Sequence, residues 1–203
     1  MKITVYQNDL PDDFILDGDI AIDTETMGLN FHRDRLCVMQ ISNGDGNAYL
    51  VQFIDGKYIA PNLQKLLLKN TVKIFHYARF DVAVIKKYLK IDIENIFCTK
   101  ISSKLVRTYT DHHGLKDLCR ELLNINISKQ QQSSNWGAQI LSEDQQDYAA
   151  KDVLYLHELR EILSQRLIEL GREKIAKKMF EFLITRVELD LIGWNDIDLF
   201  AHN

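Results

Sequence analysis

The stretch Gly18-Asp19-Ile20-Ala21-Ile22-Asp23-Thr24-Glu25 (residues 18–25) decides how this chain is read. It reads as a strand. Its first half is apolar, through Ile20, Ala21 and Ile22, and its second half carries two acids two residues apart. A strand sends alternate side chains to opposite faces, so Asp23 and Glu25 share one face. Like charges on one face of a central strand repel and lose solvent, at a cost in stability. A cation held between them removes that cost. The plainer alternative is an edge strand whose acids are simply solvated.

Outward from this strand the pattern stays mixed. Segments 35–42 and 47–54 read as strands joined by the turn Asn43-Gly44-Asp45-Gly46, so an antiparallel meander is expected. Pro61 opens a helix through Lys69, at a position where its missing N–H costs nothing. Segments 72–75 and 93–98 read as short strands, with a helix over 79–89 between them. Beyond them helices are expected over 99–107, 114–123, 142–169 and 172–183. Ser142 with Gln145 three residues later has the form of a capping box, and Gly171 ends the long helix. The expected fold is a mixed α/β or α+β domain, with a five-stranded mixed sheet flanked by helices and a helical C-terminal half.

The bulk numbers narrow the class. A length of 203 residues with 46% hydrophobic and 27% charged residues is that of a single ordinary globular domain. No apolar run approaches the roughly 20 residues of a membrane span, and the N-terminus lacks the apolar core of a signal peptide. Cys37, Cys98 and Cys119 are scattered among apolar neighbours, as buried free thiols in a reducing cytosol would be. The formal net charge is −4. Proteins that grip long nucleic acid usually show a basic excess, so a nucleic-acid substrate here should be short or held by a small cluster. The acidity also suits a site whose divalent ions offset several carboxylates.

Further acids fall at structured positions. Asp81 closes His76-Tyr77-Ala78-Arg79-Phe80-Asp81 and lies in the first turn of its helix. It is either a ligand or an acid favoured by the helix dipole. His76, at a strand end, is either a satisfied histidine or a substrate contact. Tyr148 and Asp152 lie at i and i+4 on the long helix, hence on one face. They are either a ligand with its attendant tyrosine or a core tyrosine beside a solvated acid. Asp152 is flanked by Val153, Leu154 and Leu156, so it needs a partner. Together the four acids can gather hard oxygen ligands around two divalent metals, an apparatus for phosphodiester hydrolysis. The adjacent His112 and His113 read as a turn.

Asp23-x-Glu25, Asp81 and Tyr148-x-x-x-Asp152 resemble the three motifs of the DEDD 3′→5′ exonucleases in their tyrosine-bearing (DEDDy) branch. The setting is similar to the RNase D group: Asp23-Thr24-Glu25-Thr26-x-Gly28-Leu29, Leu36-Cys37-Val38-Met39-Gln40-Ile41, Gly114-Leu115-Lys116-Asp117-Leu118, Ser133-Ser134-Asn135-Trp136 and Tyr148-Ala149-Ala150-x-Asp152-Val153-x-Tyr155-Leu156. RNase D-like enzymes carry C-terminal helical nucleic-acid-binding (HRDC) domains, and about 50 residues follow Asp152 here. Residues 1–203 are therefore expected to be one exonuclease domain without an HRDC domain. The chain resembles the bacterial nanoribonuclease C type, and Ser128-Lys129-Gln130-Gln131-Gln132-Ser133-Ser134 fits that type as well.

The resemblance implies an RNase H-like exonuclease fold and a cytoplasmic enzyme that degrades RNA as short as dinucleotides to nucleoside 5′-monophosphates. It also implies a homo-oligomer, an octameric ring. Asp23, Glu25, Asp81 and Asp152 would hold two Mg²⁺ or Mn²⁺ about 4 Å apart, with Tyr148 orienting the attacking water and helping to deprotonate it. Because a tyrosine's ordinary pKa is near 10, that role rests on a metal-lowered water pKa or on positioning alone. By similarity, Thr26 and Gly28 let the backbone approach the terminal nucleotide, Leu29 is the wedge between the last two bases, and His76 and Phe80 line the pocket. For Leu29 the plainer alternative is core packing. Arg79, Arg107, Lys129 and Gln132 are candidate phosphate contacts, each with a solvated surface role as the alternative. DNA, or longer RNA such as tRNA 3′ ends, are alternative substrates. A catalytically inactive binding module is disfavoured because all five positions are filled. The apolar, aromatic segment 187–200 is compatible with a subunit contact.

Overall fold

The computed structural model describes residues 1–30, 32–128 and 130–202. Its strands are β1 (Ile3–Gln7), β2 (Ile20–Thr26), β3 (Leu36–Ser42), β4 (Ala48–Gln52), β5 (Lys73–Phe75) and β6 (Ile96–Cys98). They form one sheet in the order β1-β4-β3-β2-β5-β6. β2, β3 and β4 are the expected antiparallel meander, while β5 and β6 extend it in parallel from β2. Among the described residues the sheet has six strands, where five were expected. The additional one is β1, which pairs in parallel with β4, Ile3 opposite Ala48. A parallel edge strand whose partner lies so far along the chain leaves no hairpin turn to betray it. β2 lies between β3 and β5, which rules out the edge-strand alternative for its two acids.

The helices are α1 (Pro61–Leu67), α2 (Ala78–Leu89), α3 (Thr99–Val106), α4 (Leu115–Leu118), α5 (Glu143–Leu154), α6 (Leu156–Glu169) and α7 (Glu173–Leu189). Three expectations need correction. The helix expected over 114–123 is a four-residue turn, α4, running into a π turn at Cys119–Leu123. The helix expected over 142–169 is divided at Tyr155. No Gly or Pro marks that break. Its second half is anchored separately, by His157 Nε2 to the Asp19 carbonyl at 3.0 Å and by Arg160 to Asp19 Oδ2 at 2.6 Å. The last helix runs six residues past its expected end at Leu183, to Leu189, and continues as a π turn over Asp190–Trp194.

Helices cover both faces of the sheet. On one, Ile20, Ile22, Met39, Ile41 and Phe75 join a core with Leu63 of α1, Val84 and Ile85 of α2, and Leu183 and Val187 of α7. On the other, Ala21, Val38, Leu50 and Ile74 join Ala149 and Val153 of α5 and Leu156 and Leu159 of α6. Each fully buried aliphatic side chain stabilises the fold by roughly 1.5–3 kcal/mol relative to exposure. The strand alternation places Asp23 and Glu25 on the face of Ala21, toward α5. The three cysteines are free and buried, as expected.

Candidate active site

The acids converge where β2 runs out from the sheet's apolar centre. Asp23 pairs across the ladder with Gln40 of β3, whose Nε2 donates to Asp23 Oδ2 at 3.3 Å. The pairing register shifts between Glu25 and Thr26, an irregularity of the kind that re-aims side chains next to active sites. Thr24 faces the opposite way, and its hydroxyl donates to Asp81 Oδ1 at 2.7 Å. Asp81 is thereby tied from the first turn of α2 to the strand bearing the other acids.

On the second face α5 starts from a capping box between Ser142 and Gln145. Gln145 also donates to Ser134 Oγ at 3.0 Å and to the Asn135 carbonyl at 3.1 Å. This ties the Ser133-Ser134-Asn135-Trp136 segment to the helix. Trp136 is buried, with its ring 6.0 Å from that of Tyr148. Tyr148 lies beside Asp152 on the same helix face. Carboxylate oxygens of Asp23, Glu25 and Asp152 all lie within 4.8 Å of one another.

The electrostatics are those of crowded like charges. Burial first, then repulsion from Asp81, Asp152 and Glu25, raises the Asp23 carboxyl well above its ordinary range. Glu25 is pushed up to about 9 by burial and by Asp152 and Asp81. Burial likewise pushes Asp81 up to about 7, against the hydrogen bond from Thr24 that pulls it down. No cation among the described residues contributes to the shifts of Asp23 and Glu25. Clustered hard oxygen donors without a protein counter-charge suit Mg²⁺ or Mn²⁺, and a bound cation would reverse all three shifts. The Tyr148 phenol is raised too, by burial and then by Asp152, Glu25 and Asp23.

A profile of the 3′-5′ exonuclease family matches residues 3–168. The chain belongs to that family. Among solved structures, Brucella melitensis NrnC is 56% identical over the full length of both chains, with a TM-score of 0.94. The same protein bound to pGG is 55% identical over the same coverage, again at 0.94, and with bound Mg²⁺ it is 54% identical, also at 0.94. The DNA polymerase I of Aquifex aeolicus is 33% identical over 158 residues, 76% of this chain and 25% of the polymerase. The chain thus spans about a quarter of that relative. These matches bear out the resemblance to the DEDD exonucleases and to the nanoribonuclease C type.

In this exonuclease the remaining candidate residues divide sharply. Leu29 is 84% exposed, which removes core packing as its role. His76 Nδ1 lies 2.9 Å from Thr99 Oγ1, and that hydroxyl donates to the Phe75 carbonyl at 3.1 Å. Phe80 is half-buried in the first turn of α2, and Gln132 is exposed in the turn over 130–133. Lys129 lies outside the described residues.

Four of the candidates find contacts within the chain itself. The Thr26 side chain is buried and its hydroxyl donates to the Gly28 carbonyl, so it locks its own turn. A Cβ on Gly28 would collide with the Asp34 carboxylate, so the glycine makes room for this chain's own side chain. Arg107 is fully buried and committed to Glu121, Ser103 and the His112 carbonyl, which removes it as a phosphate contact. Arg79 is engaged by Asp190 in two hydrogen bonds of 2.6 and 2.8 Å. Both arginines found carboxylate partners that local sequence does not reveal.

Thr24, Gln40, Thr99 and Asp190 were not singled out as site residues. Thr24 lay between two assigned acids, and Gln40 is a polar residue within an otherwise apolar strand. Those were usable signals. Thr99 and Asp190 offered none.

Proposed function

We propose that the chain is a metal-dependent 3′→5′ exoribonuclease acting on very short RNA, dinucleotides included, and releasing nucleoside 5′-monophosphates. The observation that carries this reading is the cluster of Asp23, Glu25 and Asp152, with ligand oxygens within 4.8 Å and Asp81 tied alongside through Thr24. Its full-length likeness to NrnC, solved with pGG, supports the substrate class, and the net charge of −4 is in keeping with a short one.

Asp23, Glu25, Asp81 and Asp152 would hold two divalent ions, which supply Lewis-acid charge for the phosphate and a lowered water pKa. Tyr148, beside Asp152 and packed on Trp136, orients the nucleophile by hydrogen bonding. His76, beside Thr99 at the end of β5, is placed to meet the substrate. Leu29 presents exposed apolar surface to a base. The same reading makes this a single cytoplasmic exonuclease domain that assembles with copies of itself into a ring. Exposed Ile192, Trp194, Ile197 and Phe200 are suited to such contacts. No helix among the described residues is long and apolar enough to cross a membrane.

The test is incubation with Mn²⁺ and 5′-labelled RNAs of two, three, seven and twenty nucleotides, with an Asp23→Ala control. Selective turnover of the shortest RNA is expected. Equal rates at all lengths would overturn the length preference, and inactivity toward every substrate would overturn the nuclease reading. Light scattering tests the assembly, for which a monomer is the adverse result.

A further inference from the structure

Asp190 opens the π turn after α7, beyond the stretch matched by the family profile, and is fully buried. Its Oδ2 accepts from Arg79 Nε at 2.6 Å and its Oδ1 from Arg79 Nη2 at 2.8 Å, with Arg186 Nη2 3.0 Å from Oδ1. Its carbonyl is 3.1 Å from His32 Nε2. Arg79 also donates to the Asn195 carbonyl, and Arg186 to the carbonyls of Trp194, Asn195 and Ile197. One buried residue thus joins three segments that are remote in sequence.

Two of those segments carry site residues. Arg79 lies in the first turn of α2, with Phe80 and Asp81 directly after it. That helix begins without a side-chain cap, after Tyr77 in the left-handed region at φ 75°, a costly conformation for a bulky residue. Its first turn therefore needs an outside tie. His32 belongs to the turn that presents Leu29. This turn is also held by Asn30 N to Asp34 Oδ2 at 2.9 Å, by Lys87 Nζ to the His32 carbonyl at 2.6 Å and by the Tyr88 hydroxyl to the Asp34 carbonyl at 3.0 Å.

We infer that Asp190 is a positioning residue for substrate, setting Phe80 through Arg79 and Leu29 through His32. The inference rests on the exonuclease reading for its substrate but not for its geometry. Asp23 and Glu25 sit on β2, and Asp81 is held to that strand by Thr24, so the acids are fixed outside this network. Loss of Asp190 should therefore loosen the grip on the substrate more than it slows the saturated enzyme.

The test uses the full chain with Mn²⁺ and a 5′-phosphorylated diribonucleotide, comparing wild type, Asp190→Asn and His32→Ala. Asp190→Asn should raise KM by about tenfold with kcat within about threefold, and His32→Ala should raise KM by about threefold. Hydrogen exchange at residues 78–82 should accelerate about tenfold in Asp190→Asn, which keeps the carbonyl that His32 meets, and at residues 28–30 and 32–34 in His32→Ala. A loss of kcat at unchanged KM, or faster exchange confined to residues 186–200, would overturn the inference. If Asp190→Asn does not fold, His32→Ala decides, because it leaves the buried carboxylate paired. If wild type cleaves nothing, the exonuclease reading fails while the exchange data still judge the positioning role.

Discussion

Two buried acidic centres in this molecule have opposite surroundings. Asp190 is fully buried between two guanidiniums. Asp81 is almost as buried, at 3% exposure, yet its charged neighbours Asp23 and Asp152 are carboxylates. The first arrangement is complete within the chain and fastens distant segments together. The second is incomplete without an external cation. Buried charge alone therefore does not distinguish structure from chemistry. The sign of what surrounds it does, and only the like-charged cluster asks for a metal.

The difference can be broken most forcefully at Asp23. Asp23→Asn should cut metal-dependent turnover about a thousandfold, the loss of about 4 kcal/mol of transition-state stabilisation, while raising the melting temperature in chelator. A lower chelated melting temperature would show that the acids are paired after all. At the other centre Asp190→Ala should act in the opposite sense on stability, costing about 3–5 kcal/mol because two arginines lose their shared partner. Urea titration measures it, and a cost below about 1 kcal/mol would remove the contrast.

Next in size is a pH effect. Glu25 is pushed up to about 9 and Asp81 up to about 7, so the folded, metal-free protein holds protons that the unfolded chain has released. Stability in chelator should fall as pH rises from about 4, where unfolded carboxyls ionise, toward 9. Added Mn²⁺ should flatten or reverse that slope by favouring the carboxylates. Melting curves at several pH values, with and without metal, would show it, and parallel slopes would mean that the cluster does not bind the ion. The smallest effect belongs to Thr99→Val, which removes the hydroxyl 2.9 Å from His76 Nδ1. It should cost about 1 kcal/mol of stability and raise KM several-fold, with nitrogen NMR of His76 showing whether the tautomer changes.

Much of the cluster was legible because it is built from short-range periodicities. Two residues on a strand share a face, which set Asp23 beside Glu25, and four on a helix do the same for Tyr148 and Asp152. The Ser142–Gln145 capping box was equally local and is present. Illegible features were those whose partner lies far along the chain. β1 needed β4, the division at Tyr155 coincided with contacts to Asp19, and Arg107 found Glu121 across a turn. Arg79 is the sharpest case, since its carboxylate partner is 111 residues away.

The sequence by itself thus determined the mixed sheet, the helical second half, the face shared by each pair of site residues and the kind of chemistry that paired acids serve. Tertiary structure alone decided that β2 is central, that the cluster gathers no cation from the described chain, and which arginines are committed elsewhere. The physical reason is that periodicity fixes where a side chain points relative to its own element. Whether a charge meets an opposite charge, a like charge or water depends on which distant segment the packed core brings against it.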